Sequence, residues 1–363
     1  MKENGEHILS LQMIGLTVGG IAWGILGDKR GRKSVLFGSI LLYSLATIAN
    51  GFISTIDQYT WVRFIAGLGL AGELGASITL TSELLPQEKR GIAAALIASS
   101  GVLGTITAYI VFKLSNDWRL CYFIGGGMGL ALLFLRVRVL ESGMYDSLKK
   151  TKVAMGNYWM LLNNRHRFSR YLRGILIGLP VWYIIGVIIT FSDEFAKQFG
   201  ITGFDQPTSL MLQYAALAAG DMCAGFLSNY IKSRKKTLLI FYGITAVFIF
   251  LFFALKGGGT SINMYLICMG LGFGSGISVL YIVMGAEQFG TNLRATAAIS
   301  IPNLVRGCLP LILILFRFLR SDGALGNYIT AAWITGIIIM AIGFTAALFI
   351  KETFGKELDF VEE

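Results

Sequence analysis

Long apolar runs, broken by short polar segments, organise this chain of 363 residues. The first run contains "LSLQMIGLTVGGIAWGIL" and the second "VLFGSILLYSLATIANGF". Between them stands one charged break, "GDKRGRKS", at residues 27–34. Such runs reach the roughly 20 apolar residues that a helix needs to cross a bilayer. The pattern predicts eleven spans, at about 8–27, 34–53, 58–82, 91–113, 118–140, 171–191, 207–230, 236–255, 262–285, 295–318 and 326–350. The alternating polar and apolar positions of a membrane β-barrel are absent. The longest stretch without an apolar run, 141–170, sets five spans apart from six. Its segment "YWMLLNNRHRFSRYL" suits a helix on the membrane surface, or a plain linker.

Composition agrees with a membrane protein. The chain is 55% hydrophobic and only 14% charged, against roughly 25% charged in a soluble domain. Its net charge of +10 has an explanation in topology. Of the 31 Lys and Arg, 22 fall on one side of the predicted spans and seven on the other, with Arg63 and Arg306 inside spans. The positive-inside rule makes the basic side cytoplasmic, with the C-terminus inside and Met1 outside. The charge therefore does not point to nucleic acid. Cys121, Cys223, Cys268 and Cys308 lie in separate spans and read as buried thiols. The first run ends in GDKRGRK, not in the small-residue site of a cleaved signal peptide.

The chain also repeats itself. "GILGDKRGRK" in the first half matches "GFLSNYIKSRKK" in the second, with Gly24 on Gly225 and Asp28 on Asn229. "ELLPQEKRGIAA" matches "EQFGTNLRATAA", placing Glu83 on Glu287 and Arg90 on Arg294. Parallel repeats of this kind are a transporter architecture. The second half then has six spans and the first only five. The missing counterpart would precede Leu9, so the expectation is a twelve-span design without its first helix, and Met1 need not be the native start.

These residues resemble the major facilitator superfamily. "GILGDKRGRK" is similar to its signature between the second and third helices, "RFIAGLGLAGE" to its fourth-helix signature and "SELLPQEKRG" to the loop that follows. "LESGMY" and "KETFGKELDF" resemble the Pro-Glu-Ser and Pro-Glu-Thr elements of sugar porters, each without its proline. "GLAGELGA" leans toward the metabolite:proton symporter branch. The resemblance implies an all-α integral membrane fold of two halves related by pseudo-two-fold symmetry. The expected divisions are 1–140, a cytoplasmic linker 141–170, a second half 171–350 and a cytoplasmic tail 351–363. The resemblance also implies that the first motif, with Gly24, Gly27, Asp28, Gly31, Arg32 and Lys33, latches the cytoplasmic ends of the halves. Its second copy holds Gly225, Asn229, Arg234 and Lys235. Because Asn229 replaces the aspartate, one strong latch is expected. The charges Glu83, Arg90, Glu287 and Arg294 read either as solvated loop residues or as members of the gate.

Ionisable residues inside spans are costly and mark functional paths. Arg63, Glu73, Asp221 and Arg306 are the candidates for transport and proton coupling. Arg63 is near an outer end and can snorkel. Glu73, about 15 Å deeper, is the candidate proton carrier, with a structural hydrogen bond as the competing reading. Asp221 and Arg306 are expected to face each other, either as a structural pair or as an anion site. Trp182, Tyr183 and Asn303 are candidate cavity walls; packing is the alternative for the aromatics. His7 and His166 read as simple polar residues.

The reading is a secondary transporter of a small metabolite, an anionic one being compatible with Arg306, working by alternating access and coupled to protons. A membrane sensor or scaffold that has kept the fold is the alternative. No metal-spaced His or Cys, nucleophile elbow or phosphate loop supports an enzyme or a cofactor. The expected partners are the small-molecule substrate, protons and the lipid bilayer, the expected state a monomer, and the expected location a bacterial inner membrane.

Overall fold

The computed structural model describes residues 2–136, 141–149 and 153–363, except for the side chains of residues 2–6 and of Val102. Arg138, Lys150, Lys152 and the side chain of Lys2, four of the cations used above to orient the chain, lie outside that description. Among the described residues eleven helical segments are long and apolar enough to cross a membrane. In chain order the helices are α1 (Lys2–Arg30), α2 (Arg32–Asn50), α3 (Ile56–Leu70), α4 (Glu73–Leu84), α5 (Gln87–Ser115) and α6 (Trp118–Leu135). Two short ones follow, α7 (Gly143–Lys149) and α8 (Trp159–Leu162). The rest are α9 (Arg165–Tyr183), α10 (Ser192–Phe199), α11 (Gln206–Tyr230), α12 (Arg234–Ala254), α13 (Ser261–Gly274), α14 (Ile277–Glu287), α15 (Arg294–Gly307), α16 (Leu309–Arg320) and α17 (Tyr328–Phe349).

The polar breaks supply the helix ends. The first amides of a helix have no intrahelical acceptor, and a side-chain oxygen at the N-cap satisfies them. Thr55 and Gln58 form a reciprocal capping box for α3. Asp117, Asn164, Asp205, Ser233, Thr260 and Asn327 cap α6, α9, α11, α12, α13 and α17.

Three predicted spans are broken inside. The third span divides into α3 and α4 at Ala71–Gly72, and the ninth into α13 and α14 at Ser275–Gly276. These positions correspond in the internal repeat. The tenth divides into α15 and α16 at Cys308. Pro310 has no amide to donate to the turn before it. The sixth span contains Pro180 and continues past Tyr183 as π-helical turns, Ile184–Ile189.

The two most extensive helix crossings between the halves are α1 on α15 and α5 on α11. The described residues between the halves include the short helices α7 and α8 and pack against the basic side, where Tyr145 donates to the Lys29 carbonyl and the Gly156 amide to the Asn292 carbonyl. Tyr145 and Leu161 are buried there, and α9 already begins at Arg165.

Tyr183 belongs to this packing. Its side chain is fully buried, and its hydroxyl donates to the Ala332 carbonyl of α17 at 2.6 Å. The expectation that it lines a cavity is therefore corrected: the side chain is enclosed and its hydroxyl is bonded to α17. Tyr183→Phe should lower the unfolding temperature in detergent, through loss of one buried hydrogen bond worth about 0.5–1.5 kcal/mol, and leave substrate affinity unchanged. Unchanged stability with altered affinity would contradict this placement.

Candidate functional site

The break between α1 and α2 is one residue long. Gly31 has φ 95°, a left-handed conformation suited to glycine. The turn exposes the first amides of α2, and Glu141 accepts from two of them, Arg32 N at 3.2 Å and Lys33 N at 3.0 Å. A carboxylate is favoured at a helix N-terminus by charge as well as by hydrogen bonding.

The turn also aims Arg32 inward, where it is fully buried. Its guanidinium donates to the Gly27 carbonyl at 3.1 Å, to the Thr291 carbonyl at 3.0 Å and to Glu83 at 2.8 Å. The ring of Tyr145 lies 5.1 Å away. Asp28, also fully buried, is 3.5 Å from Arg32. Its main partners are on the other half: Ala295 N at 3.0 Å, Thr296 N at 2.9 Å and Thr296 Oγ1 at 2.6 Å. Helix α15 has no capping side chain of its own, so Asp28 acts as its cap across the interface. Gly24 and Gly27 permit the approach; a Cβ on either would lie 2.9 Å from Thr296 Cα or Ala295 Cβ.

Glu83 accepts from two guanidiniums through one oxygen, Arg32 at 2.8 Å and Arg294 at 2.9 Å. Arg294 belongs to the second half, so this triad ties the halves on the basic side. Its other nitrogen donates to the Leu358 carbonyl in the tail.

The repeat builds a second, weaker tie. Glu352 caps α12 through Arg234 N at 2.9 Å and Lys235 N at 3.2 Å. Arg234 donates to Glu287 at 3.3 Å and lies 5.1 Å from the Phe354 ring. Asn229 donates to the Glu88 carbonyl across the halves, one bond where Asp28 accepts three. Gly225 sits against α5; a Cβ there would lie 2.4 Å from Ala95 Cβ. Arg90 donates to the Leu85 and Lys356 carbonyls, at 3.3 and 3.1 Å. The four loop charges thus do not pair by sequence proximity: Glu83 takes Arg294, Glu287 takes Arg234, and Arg90 takes backbone.

Deeper in the chain Arg306 is half-buried. Among the described residues it donates once, to Asn303 Oδ1 at 3.2 Å, and it lies 5.6 Å from the centre of the Trp182 ring. Tyr214 and Tyr281 are close enough to feel its charge. Asp221 is buried and accepts from Ser278 Oγ at 2.6 Å, while its second oxygen has no partner among the described residues. Asp221 and Arg306 form no ion pair, which corrects the expectation that they meet. Tyr281 feels both charges.

Glu73 forms a 2.8 Å ion pair with Arg136, at the end of α6. That guanidinium, read from the sequence as a loop cation, is instead paired with a carboxylate of α4. A carboxylate already neutralised in this way fits the competing structural reading. Arg63 lies 5.7 and 5.9 Å from the rings of Tyr59 and Tyr122, and joins none of the other three charges. Asn303 is 1% exposed, and its Nδ2 donates to the Ala71 and Ile299 carbonyls at 2.8 and 2.7 Å. It is a buried bridge to the first half, not an open cavity wall.

Glu141, Tyr145, Glu352 and Phe354 were missed as individual residues. The signal was present in "LESGMY" and "KETFG", where a Glu follows the last span of each half and an aromatic residue stands a few positions later.

Two halves of membrane helices, tied on the basic side by buried charges, have the architecture of a membrane carrier. The family profile described as Major Facilitator Superfamily matches residues 5–301, and the chain belongs to that family. It is 25% identical to the niacin transporter NiaP of Acinetobacter baylyi, over 97% of this chain and 86% of that protein. It is 26% identical to the 3-(3-hydroxy-phenyl)propionate transporter of Escherichia coli, over 80% of this chain and 71% of that one. Among solved structures, the proton:xylose symporter XylE superposes with a TM-score of 0.73 at 16% identity, covering 98% of this chain and 87% of XylE. The E. coli fucose:proton symporter FucP gives 0.73 at 16% identity, covering 95% and 90%. The chain is thus an integral membrane transporter and not an enzyme.

Two outcomes follow from the latches. Glu83→Gln leaves two buried guanidiniums short of their shared carboxylate, and breaking such a pair costs about 3–5 kcal/mol. A cysteine at Val283, buried beside the second latch, should then react faster with maleimide in a chain lacking its native cysteines; unchanged labelling would contradict the triad's role. The second outcome concerns pH. Burial pushes the Glu352 carboxyl up, but the Ser233 hydroxyl and the amides of Phe354, Arg234 and Lys235 outweigh it, holding the group below the usual 4.5. Its stabilisation is present above that value and is lost as the pH falls below it. Thermal unfolding of Glu352→Gln should show a smaller acid loss than the parent; an equal loss would place the acid-sensitive group elsewhere.

Proposed function

We propose that the chain is a proton-coupled secondary transporter of a small carboxylate bearing an aromatic ring, working by alternating access. The observation that carries this reading is Arg306. It is half-buried, spends one hydrogen bond on protein among the described residues, has the Trp182 ring 5.6 Å away and lies close enough to Tyr214 and Tyr281 to act on them by charge. A guanidinium offers a planar fork that matches a carboxylate, and aromatic walls suit a flat ring. Niacin and 3-(3-hydroxyphenyl)propionate, named for the two relatives above, both have this chemistry.

Asp221 is the proton site in this account. It is buried, hydrogen-bonded to Ser278 and without a cationic partner. An ionised carboxylate so placed is costly inside a membrane, and protonation removes the cost. Both Asp221 and Arg306 lie close enough to Tyr281 to act on its hydroxyl. The basic face is the cytoplasmic one, with the C-terminus inside. The halves, 1–140 and 171–350, rock about the central site; the linker 141–170 and tail 351–363 close the cytoplasmic face. The Glu83 triad and the Asp28 cap hold that face shut and separate when substrate moves inward.

The test is uptake of radiolabelled niacin and 3-(3-hydroxyphenyl)propionate into proteoliposomes with an alkaline interior. At least one acid should accumulate, Arg306→Ala should reduce uptake at least tenfold, and Asp221→Asn should lose gradient-driven accumulation while keeping exchange. Accumulation unaffected by Arg306→Ala, or no uptake or competition by any small carboxylate, would contradict the proposal.

A further inference from the structure

Asn303 joins two places that the proposed mechanism treats separately: the substrate anchor and the interface between the halves. It follows Pro302 in α15, on the second half. Its Nδ2 donates to the Ile299 carbonyl of its own helix and to the Ala71 carbonyl of the first half. Ala71 lies at the break between α3 and α4, where the helical ladder is interrupted, so its carbonyl needs a donor from elsewhere. Two carbonyls on one side and the Arg306 guanidinium on the other fix the orientation of the amide. Gly20 of α1 makes room for it; a Cβ there would lie 2.6 Å from Asn303 Cβ. The Asn303 carbonyl also accepts from Thr17 Oγ1 of α1 at 3.4 Å.

We propose that Asn303 is a positioning residue that couples occupancy of Arg306 to the contact between the halves. The inference rests on the reading of Arg306 as the substrate anchor. In the empty carrier Arg306 holds Oδ1, and this keeps Nδ2 on Ala71. A carboxylate that engages Arg306 competes for the same guanidinium. Oδ1 then loses its charged donor, the amide is free to turn, and the inter-half bond to Ala71 weakens. Substrate binding thereby favours the state in which the halves separate on the basic side. The single bond limits the size of the effect, a shift of roughly three- to tenfold in the ratio of states.

The test uses the full chain in proteoliposomes, native cysteines replaced, with the reporter cysteine at Val283 and niacin and benzoate as probes. Asn303→Asp retains the volume and the acceptor toward Arg306 but cannot donate to Ala71; Asn303→Ala removes both contacts. Without probe, both variants should label roughly three- to tenfold faster than the parent, and the probe should add little further acceleration. Probe affinity, measured separately by binding, should stay within about threefold of the parent in Asn303→Ala. Parent-like labelling in both variants would overturn the inference. So would a tenfold loss of affinity in Asn303→Ala with unchanged labelling, which would make Asn303 a substrate contact. If the variants label faster but neither probe binds the parent, the inter-half role of Asn303 stands and the Arg306 anchor reading fails; if Arg306→Ala leaves labelling and binding as in the parent, the relay fails with it.

Discussion

A charge inside a membrane protein must find a partner, and the architecture of the basic face follows from that constraint. Glu83 is fully enclosed and meets it with two guanidiniums, one from each half. Neither arginine has another carboxylate as close. Separation of the halves on this side must therefore strand a buried ion, or bring in water to replace the partner. The Asp28 cap on α15 adds three hydrogen bonds that break in the same motion. A carrier needs such a cost to be large enough to hold one state and small enough to be met by what it transports.

The repeat gives the same design twice at different strengths. Each half ends in a glutamate that caps the helix after its basic turn, and each places an aromatic ring near the buried arginine. What differs is the bridge between the halves. Asn229 makes one cross-half bond where Asp28 accepts three, and Arg90 turns to backbone carbonyls where Arg294 reaches Glu83. The asymmetry makes the α1–α15 crossing the strong seam. The bridge of Asn303 to Ala71 runs from the same helix, α15, to the break between α3 and α4 of the first half.

The eleven spans were legible because hydrophobic length is a local property, and the gate motif because its glycines and charges lie within ten residues. The breaks at Ala71–Gly72, Ser275–Gly276 and Cys308 were not anticipated, since an apolar run reads alike whether its ladder is intact or interrupted. The pairings of the interior charges were lost for a different reason. Sequence gives depth along a helix but not rotation about it. Glu73 was placed near the midplane and turned out to lie within reach of Arg136, while Asp221 and Arg306, expected to meet, took Ser278 and Asn303 instead. Asn303 looked like a wall residue because a polar side chain in a span suggests a cavity; only the unpartnered carbonyl at a helix break explains why it is buried.

The central claim is that the basic face is a gate, held by the Glu83 triad and released by substrate. Spin labels at Lys89 and Lys232, exposed on that face in opposite halves, report the gate by their separation in pulsed electron resonance. Without substrate, one short and narrow distance is predicted. With a transported carboxylate present, a second and longer population should appear, and it should appear without substrate in Glu83→Gln. A single distance unchanged by substrate and by Glu83→Gln, in a chain that still transports, would contradict the account.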